Sequence, residues 1–247
     1  MTTPIPVSEA MLERIGANLV AVEERIAAAC ERAGRARGEV TLVAVTKTRS
    51  LAEIVAAYRC GVRHLGENRV EEAAEKVPAL RAMFEPEPAT WHMIGHVQSR
   101  KARDAVELAD VVHSVDSTRL ATRLDRFAGE AGKRLPILLE ANVSGEESKF
   151  GVPAWDDAGC AALVAMAREV TALPHLDVRG LMTMAPIVTD PEEARPVFAR
   201  LRRLRDVLCD ATGREWPELS MGMTDDYAVA VEEGATIVRI GRAIFTM

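Results

Sequence analysis

The sequence predicts an α/β fold, a (β/α)8 (TIM) barrel forming one domain over residues 1–247, with an extra helix at the N-terminus. Eight short apolar runs rich in β-branched residues recur along the chain, and each but the last is followed by a segment of helical periodicity. A length of 247 residues is that of one such barrel. No Gly-x-Gly-x-x-Gly follows the first strand, which removes the main signal for an open, doubly wound sheet. No linker, low-complexity tract or internal repeat breaks the pattern.

From about Ser8 to Ala33, the residues Leu12, Ile15, Leu19, Val22 and Ile26 recur at three- and four-residue spacing, the apolar face of a helix. The chain stops soon after the eighth strand, so this first helix is expected to fill the gap in the outer ring. Strands are expected at Val40–Lys47, His64–Asn68, Trp91–Gly95, Val111–Asp116, Leu135–Val143, Val178–Met184, Glu218–Met223 and Ile237–Phe245. Ser50-x-x-Glu53 is a capping box for the helix after the first strand, which should end before Gly61. Asp190 and Pro191 supply a cap and a first-turn proline for a later helix. Thr224 stands where it could cap the segment running to Gly234.

Charge is nearly balanced, 31 basic against 37 acidic residues for a net −6, with no long basic run. Neither nucleic acid nor a membrane surface is therefore an expected partner. No stretch of about 18 uncharged apolar residues could span a bilayer, and Met1 to Ser8 lack the basic-then-apolar pattern of a signal peptide. Cys30, Cys60, Cys160 and Cys209 lie far apart with no Cys-x-x-Cys pair. A reducing, cytoplasmic setting is expected, with neither a zinc site nor a disulfide framework.

Only five of the 31 basic residues are lysines: Lys47, Lys76, Lys101, Lys133 and Lys149. Arginine carries charge but cannot serve as an amine nucleophile. Functional groups of such barrels collect at the C-terminal strand ends, and Lys47 closes the run Val43-Ala44-Val45 there. In partly desolvated surroundings it could offer the neutral amine of a Schiff base; the plain reading is a surface lysine opening a loop. Ser220-Met221-Gly222-Met223-Thr224 and Arg239-Ile240-Gly241-Arg242 fall after the last two strands, where such barrels repeatedly bind phosphate. There Gly241 would let backbone amides approach and Ser220 would donate a hydroxyl, unless the glycines only serve close packing. Arg239 sits inside an apolar strand and needs a partner, either a cofactor's pyridine nitrogen or an acid such as Glu67 or Glu140. Asn68 could bond a ligand oxygen or simply close its strand. His64, His92, His96 and His113 lack the His-x-His pair of metal-dependent barrel hydrolases and read as core or hydrogen-bonding groups. The run Arg200 to Arg205 reads as a solvated helix face.

Together, Val43-Ala44-Val45-Thr46-Lys47, Gly66-Glu67-Asn68, Trp91-His92-Met93-Ile94-Gly95-His96-Val97-Gln98, Ser220-Met221-Gly222-Met223-Thr224 and Arg239-Ile240-Gly241 resemble the pyridoxal phosphate homeostasis proteins (YggS/PROSC type). The likeness runs in order over nearly the whole chain. It implies the barrel of alanine racemase without that enzyme's second domain, and pyridoxal 5'-phosphate (PLP) as cofactor. The family's Schiff-base lysine falls on Lys47, its phosphate contacts on Ser220, Gly241 and Arg242, and its arginine at the pyridine nitrogen on Arg239. The segment Asn142 to Gly151 resembles the loop that carries a second lysine near the cofactor, here Lys149, and its glycines Gly145 and Gly151 would let it swing. Thr224 and Arg242 depart from the family's usual serine and small hydroxyl residue.

The resemblance implies a monomeric PLP carrier with no catalytic residues, which stores, buffers or delivers the cofactor to PLP-dependent apo-enzymes. The alternative is an amino-acid racemase on the same barrel. Racemisation needs a base on each face of the substrate, and the chain's two tyrosines, Tyr58 and Tyr227, both fall in expected helices.

Overall fold

The computed structural model describes residues 4–146 and 149–246. Met1, Thr2, Thr3 and Met247 lie outside the described residues, as do Glu147 and Ser148 of the 142–151 loop. Nine parallel strands are β1 Thr41–Val45, β2 His64–Glu67, β3 Thr90–Met93, β4 Val111–Val115, β5 Leu135–Asn142, β6 Val152–Pro153, β7 Leu176–Met182, β8 Glu218–Ser220 and β9 Ile237–Ile240, among the described residues. Eight of them hydrogen-bond in the order β4-β3-β2-β1-β9-β8-β7-β5, and pairing of β4 with β5 closes the ring. The two-residue β6, absent from the expected set, pairs only with the end of β5.

Helices cover the outside: α1 Glu9–Arg32, α2 Leu51–Arg59, α3 Val70–Met83, α4 Ala102–Leu108, α5 Thr118–Glu130, α6 Asp157–Thr171, α7 Arg195–Thr212, α8 Tyr227–Glu232 and α9 Arg242–Phe245. Strands covered on one face by helices and on the other by the barrel interior bury both sets of side chains, and every residue of β4 is buried. Outward-facing Leu65, Trp91, Val112 and Val238 join the core beneath the helices, while Val43, Leu138, Met182 and Ile237 form a separate apolar cluster. Ser8 caps α1 by accepting the Met11 amide hydrogen, and α1 buries Ile15, Leu19, Val22 and Ile26 as its spacing predicts. It packs against α2, α8 and α9, the gap in the ring it was expected to fill.

The capping box Ser50–Glu53 is present, and α2 stops at its cap residue Cys60. Asp190 accepts the Glu192 amide hydrogen at the start of a 3-10 turn leading into α7. Two expectations need correction. The run Ile237–Phe245 is strand only to Ile240; Gly241 then turns the chain into α9. A short apolar run does not tell strand from buried helix, and Ile244 and Phe245 are buried helical residues. Thr224 does not cap α8, because that position belongs to Asp226. The Asp226 carboxylate instead holds the preceding turn by accepting the Met223 amide hydrogen at 2.6 Å.

Candidate functional site

Barrel order brings three loop-bearing strand ends together, because β9 lies between β1 and β8. Lys47 follows β1, the Gly222 turn follows β8, and Gly241 follows β9. Val43 is in register with Arg239 and Ala44 with Ile240. An added Cβ on Gly241 would lie 3.3 Å from the Val45 carbonyl oxygen, so the backbones of the Lys47 and Gly241 turns approach closely. Arg242 opens α9, and a first-turn amide has no acceptor within its own helix. Its exposed side chain is ion-paired with Asp225. Gly222 has a φ of +92°, and a Cβ there would meet Ala230 at 2.6 Å. No other residue type fits this turn without displacing α8.

Lys47 is exposed, as the plain reading of a loop-opening lysine has it, and not partly desolvated. Its turn, however, is held firmly. The next residue, Thr48, has a φ of +61°, unusual for a β-branched residue. Glu72 accepts the Thr48 amide hydrogen and the Lys76 ammonium at 2.6 Å. Lys76 also donates to the Thr46 carbonyl at 2.7 Å and to Glu67 at 2.9 Å, and the Thr46 hydroxyl donates to Glu67 at 2.7 Å. Burial raises the Glu67 carboxyl, with Thr46 and Lys76 opposing. Glu72 and Lys76 were not expected at the site, and Glu67 was expected there only as a partner for Arg239. The sequence signal was there in part, since Glu72 and Lys76 stand four apart on one helix.

Arg239 is 4% exposed and forms no ion pair among the described residues. Of the two acids that might have paired with it, Glu67 binds Lys76 and Glu140 acts only at longer range. Its guanidinium donates to the Ser220 Oγ at 2.6 Å and to the Thr183 carbonyl at 2.9 Å. Burial pulls it down to about 10, with Glu140 and Asp226 opposing. Ser220 is fully buried, and its Oγ also lies 2.9 Å from the His113 Nδ1. The histidines continue from there towards the N-terminal strand ends, His113 Nε2 to His92 Nδ1 at 2.8 Å and His92 Nε2 to His64 Nδ1 at 3.0 Å. No group of three His, Cys, Asp or Glu side chains among the described residues is arranged to hold a metal ion.

A cleft at the mouth is lined by Asn68, His96, Glu140, Phe150 and Met184, among others. The Asn68 Oδ1 and Glu140 Oε2 are buried there without a hydrogen-bond partner among the described residues. Burial, then the nearby Asp116 carboxylate, raises Glu140 to about 7, against the pull of Arg239. His96 bonds Asp116 at 3.1 Å and stacks on Phe150, ring centroids 4.3 Å apart. Lys149 is partly buried, donating to the Ala185 carbonyl at 3.4 Å with Glu146 at 3.7 Å. Asn142 ties down its loop, donating to the Glu146 carbonyl and accepting from Ser144 and Gly145. Gly145 and Gly151 both have positive φ, and Gly151 packs against the Glu140 backbone. The glycines thus shape the loop by their backbone conformation. Tyr58 lies near the far end of α2, bonded to the Glu87 carbonyl, and Tyr227 is buried beneath Arg25.

The family model described as alanine racemase, N-terminal domain, matches residues 17–247. A pyridoxal phosphate homeostasis protein of Aquifex aeolicus is 40% identical over 91% of this chain and 94% of its own. The protein of that description from Pseudomonas aeruginosa is 40% identical over 95% and 96%. The solved structure of PipY from Synechococcus elongatus with PLP bound superposes with a TM-score of 0.79 at 37% identity, covering 94% of this chain and 99% of PipY.

Proposed function

The chain belongs to the family of pyridoxal phosphate homeostasis proteins, and from that premise we propose that it holds PLP at the C-terminal mouth of the barrel for storage, buffering or delivery. The observation that carries the reading is Arg239, a guanidinium buried with no carboxylate bonded to it among the described residues, beside β1, the strand that leads to Lys47. A buried cation is costly unless something accepts from it, and a pyridine nitrogen is such an acceptor. The orphaned Asn68 Oδ1 at the same mouth fits a polar ligand in the same way.

Lys47 would hold the cofactor as a Schiff base, its turn fixed by Glu72 and Lys76. The amides of Gly241 and Arg242 would take the phosphate, with the Arg242 guanidinium adding charge. Ser220 is assigned differently from the sequence expectation. With no exposed surface and its Oγ already between Arg239 and His113, it positions the arginine instead of touching the phosphate. When bound, PLP supplies an aldehyde and an electron-withdrawing ring. Arg239 has donors only and cannot protonate the ring strongly, which favours holding over turnover. Tyr58 and Tyr227 are both engaged away from Lys47, so neither stands as the second base of a racemase. Lys149, close to the mouth, would take the aldehyde during transfer to a PLP-dependent apo-enzyme. A single domain, a monomeric state, a cytoplasmic setting and the absence of turnover belong to the same proposal.

Borohydride reduction of the PLP-loaded protein followed by peptide mapping should label the peptide containing Lys47. Labelling elsewhere, or a yellow Lys47→Ala protein of unchanged affinity, would remove the assignment. Incubation with amino acids in deuterated water should give negligible exchange at the α-carbon. Turnover at about 1–10³ per second, the range of ordinary enzymes, would restore the racemase alternative.

A further inference from the structure

Three imidazoles run through the barrel interior from near its N-terminal end to Ser220. His64 opens β2, His92 lies within β3 and His113 within β4. His92 and His113 are buried, 5% and 0% exposed, while His64 is half-buried. His64 also lines a cavity with Glu39, Thr41, Arg179 and Glu218, close to the starts of β1 and β8. The proposed function leaves this chain without a role.

Its polarity follows from counting hydrogens. Arg239 only donates, so the Ser220 Oγ must accept from it. The one other bond of that oxygen among the described residues is to the His113 Nδ1. If His113 carried its proton on Nδ1, the serine oxygen would receive two donors and its own hydrogen would be buried without an acceptor, a costly arrangement. The hydroxyl therefore donates to a bare Nδ1, and His113 carries its proton on Nε2. That hydrogen faces the His92 Nδ1, which must accept it, so His92 is also protonated on Nε2. The same step makes the His64 Nδ1 an acceptor and leaves its Nε2 hydrogen free to point towards the cavity. In this one sense every hydrogen from the Ser220 hydroxyl to the His92 Nε2 has an acceptor.

We propose that His64, His92 and His113 form a tautomer relay that locks the Ser220 oxygen as an acceptor for Arg239, making His113 and His92 positioning residues for the arginine. The inference deepens the cofactor reading and rests on it only where Arg239 meets the pyridine nitrogen. A charged imidazole would present two donors and break the sequence. Burial, then the neighbouring histidine, holds both inner rings well below the usual histidine range, with Arg239 adding to the effect at His113.

Nitrogen-15 NMR of the unloaded protein tests the relay directly. His64, His92 and His113 should each report a proton on Nε2, and His92 and His113 should not titrate between about pH 5.5 and 8. An Nδ1–H tautomer at His92 or His113, or titration of either, would overturn the proposal. The Arg239 Nη resonances should show hindered rotation in the wild type, average in His113→Phe, and recover in His113→Asn, whose amide oxygen can still accept from Ser220. Equal behaviour of the two variants would reduce His113 to packing and refute a positioning role. Should His113→Phe not fold, Ser220→Ala must free the Arg239 resonances, and hindered rotation there would count equally against the relay. In the PLP-loaded protein, His113→Phe should weaken binding by up to roughly tenfold, the upper factor for one hydrogen bond between neutral groups. An unchanged absorption band in Arg239→Gln would sink the cofactor assignment of Arg239 while leaving the unloaded-protein measurements to judge the relay.

Discussion

Glu140→Gln should stabilise the unloaded protein, and by an amount that grows with pH. Glu140 is 2% exposed, and its Oε2 has no partner among the described residues. Burial, with Asp116 adding to it, raises its carboxyl from 4.5 to about 7, Arg239 opposing. The folded protein therefore binds a proton that the unfolded chain has already released across that interval. Stability from the neutral form is fully present below the unfolded value of about 4.5 and is lost as pH rises towards about 7. The rise from 4.5 to about 7 corresponds to roughly 3 kcal/mol. Glutamine is neutral throughout, so the variant escapes the loss. Urea unfolding of both proteins at pH 5 and pH 8 measures the difference. The gap between variant and wild type should widen by roughly 1–3 kcal/mol at the higher pH. Parallel stability profiles would mean that Glu140 ionises freely in the folded state, and the account of its carboxyl as desolvated would fail.

Lys76→Met should destabilise the fold by about 3–5 kcal/mol in urea unfolding, since it strands the buried Glu67 carboxylate; a loss under about 1 kcal/mol would show that water reaches the pair. Gly95→Ala would set a Cβ 2.1 Å from the Asn68 carbonyl oxygen. A thermal scan should show a lower midpoint, and an unchanged one would contradict the packing described. Gly222→Ala, strained by its φ of +92° as well as crowded by Ala230, should cost roughly 2 kcal/mol or more, read by the same scan. Lys149→Ala should slow transfer of PLP to an apo-enzyme while leaving stability near the wild-type value; equal transfer rates would leave Lys149 a loop residue only.

Barrel class, strand order along the chain and the position of Lys47 were legible in the sequence because they depend on local periodicity. Caps at Ser50 and Asp190 were legible for the same reason, being bonds between residues two or three apart. Arg239 announced itself as a charge in an apolar strand. Its partners did not, because the bonds to Ser220 and Thr183 join residues that only the lateral pairing of β7, β8 and β9 makes neighbours. The clamp on the Lys47 turn was hidden likewise: Thr46, Glu67 and Lys76 come from three elements, and only their convergence lets one ammonium serve all of its acceptors. The four-residue helix after Gly241 escaped periodicity through its brevity. The histidines at 64, 92 and 113 stood in separate strands with no spacing in common. Parallel pairing of β2, β3 and β4 turned their rings towards one another. A sequence can fix which residues face inward, since that is a period of two along each strand; which inward residue meets which is set by register between strands, and that is a property of the closed barrel alone.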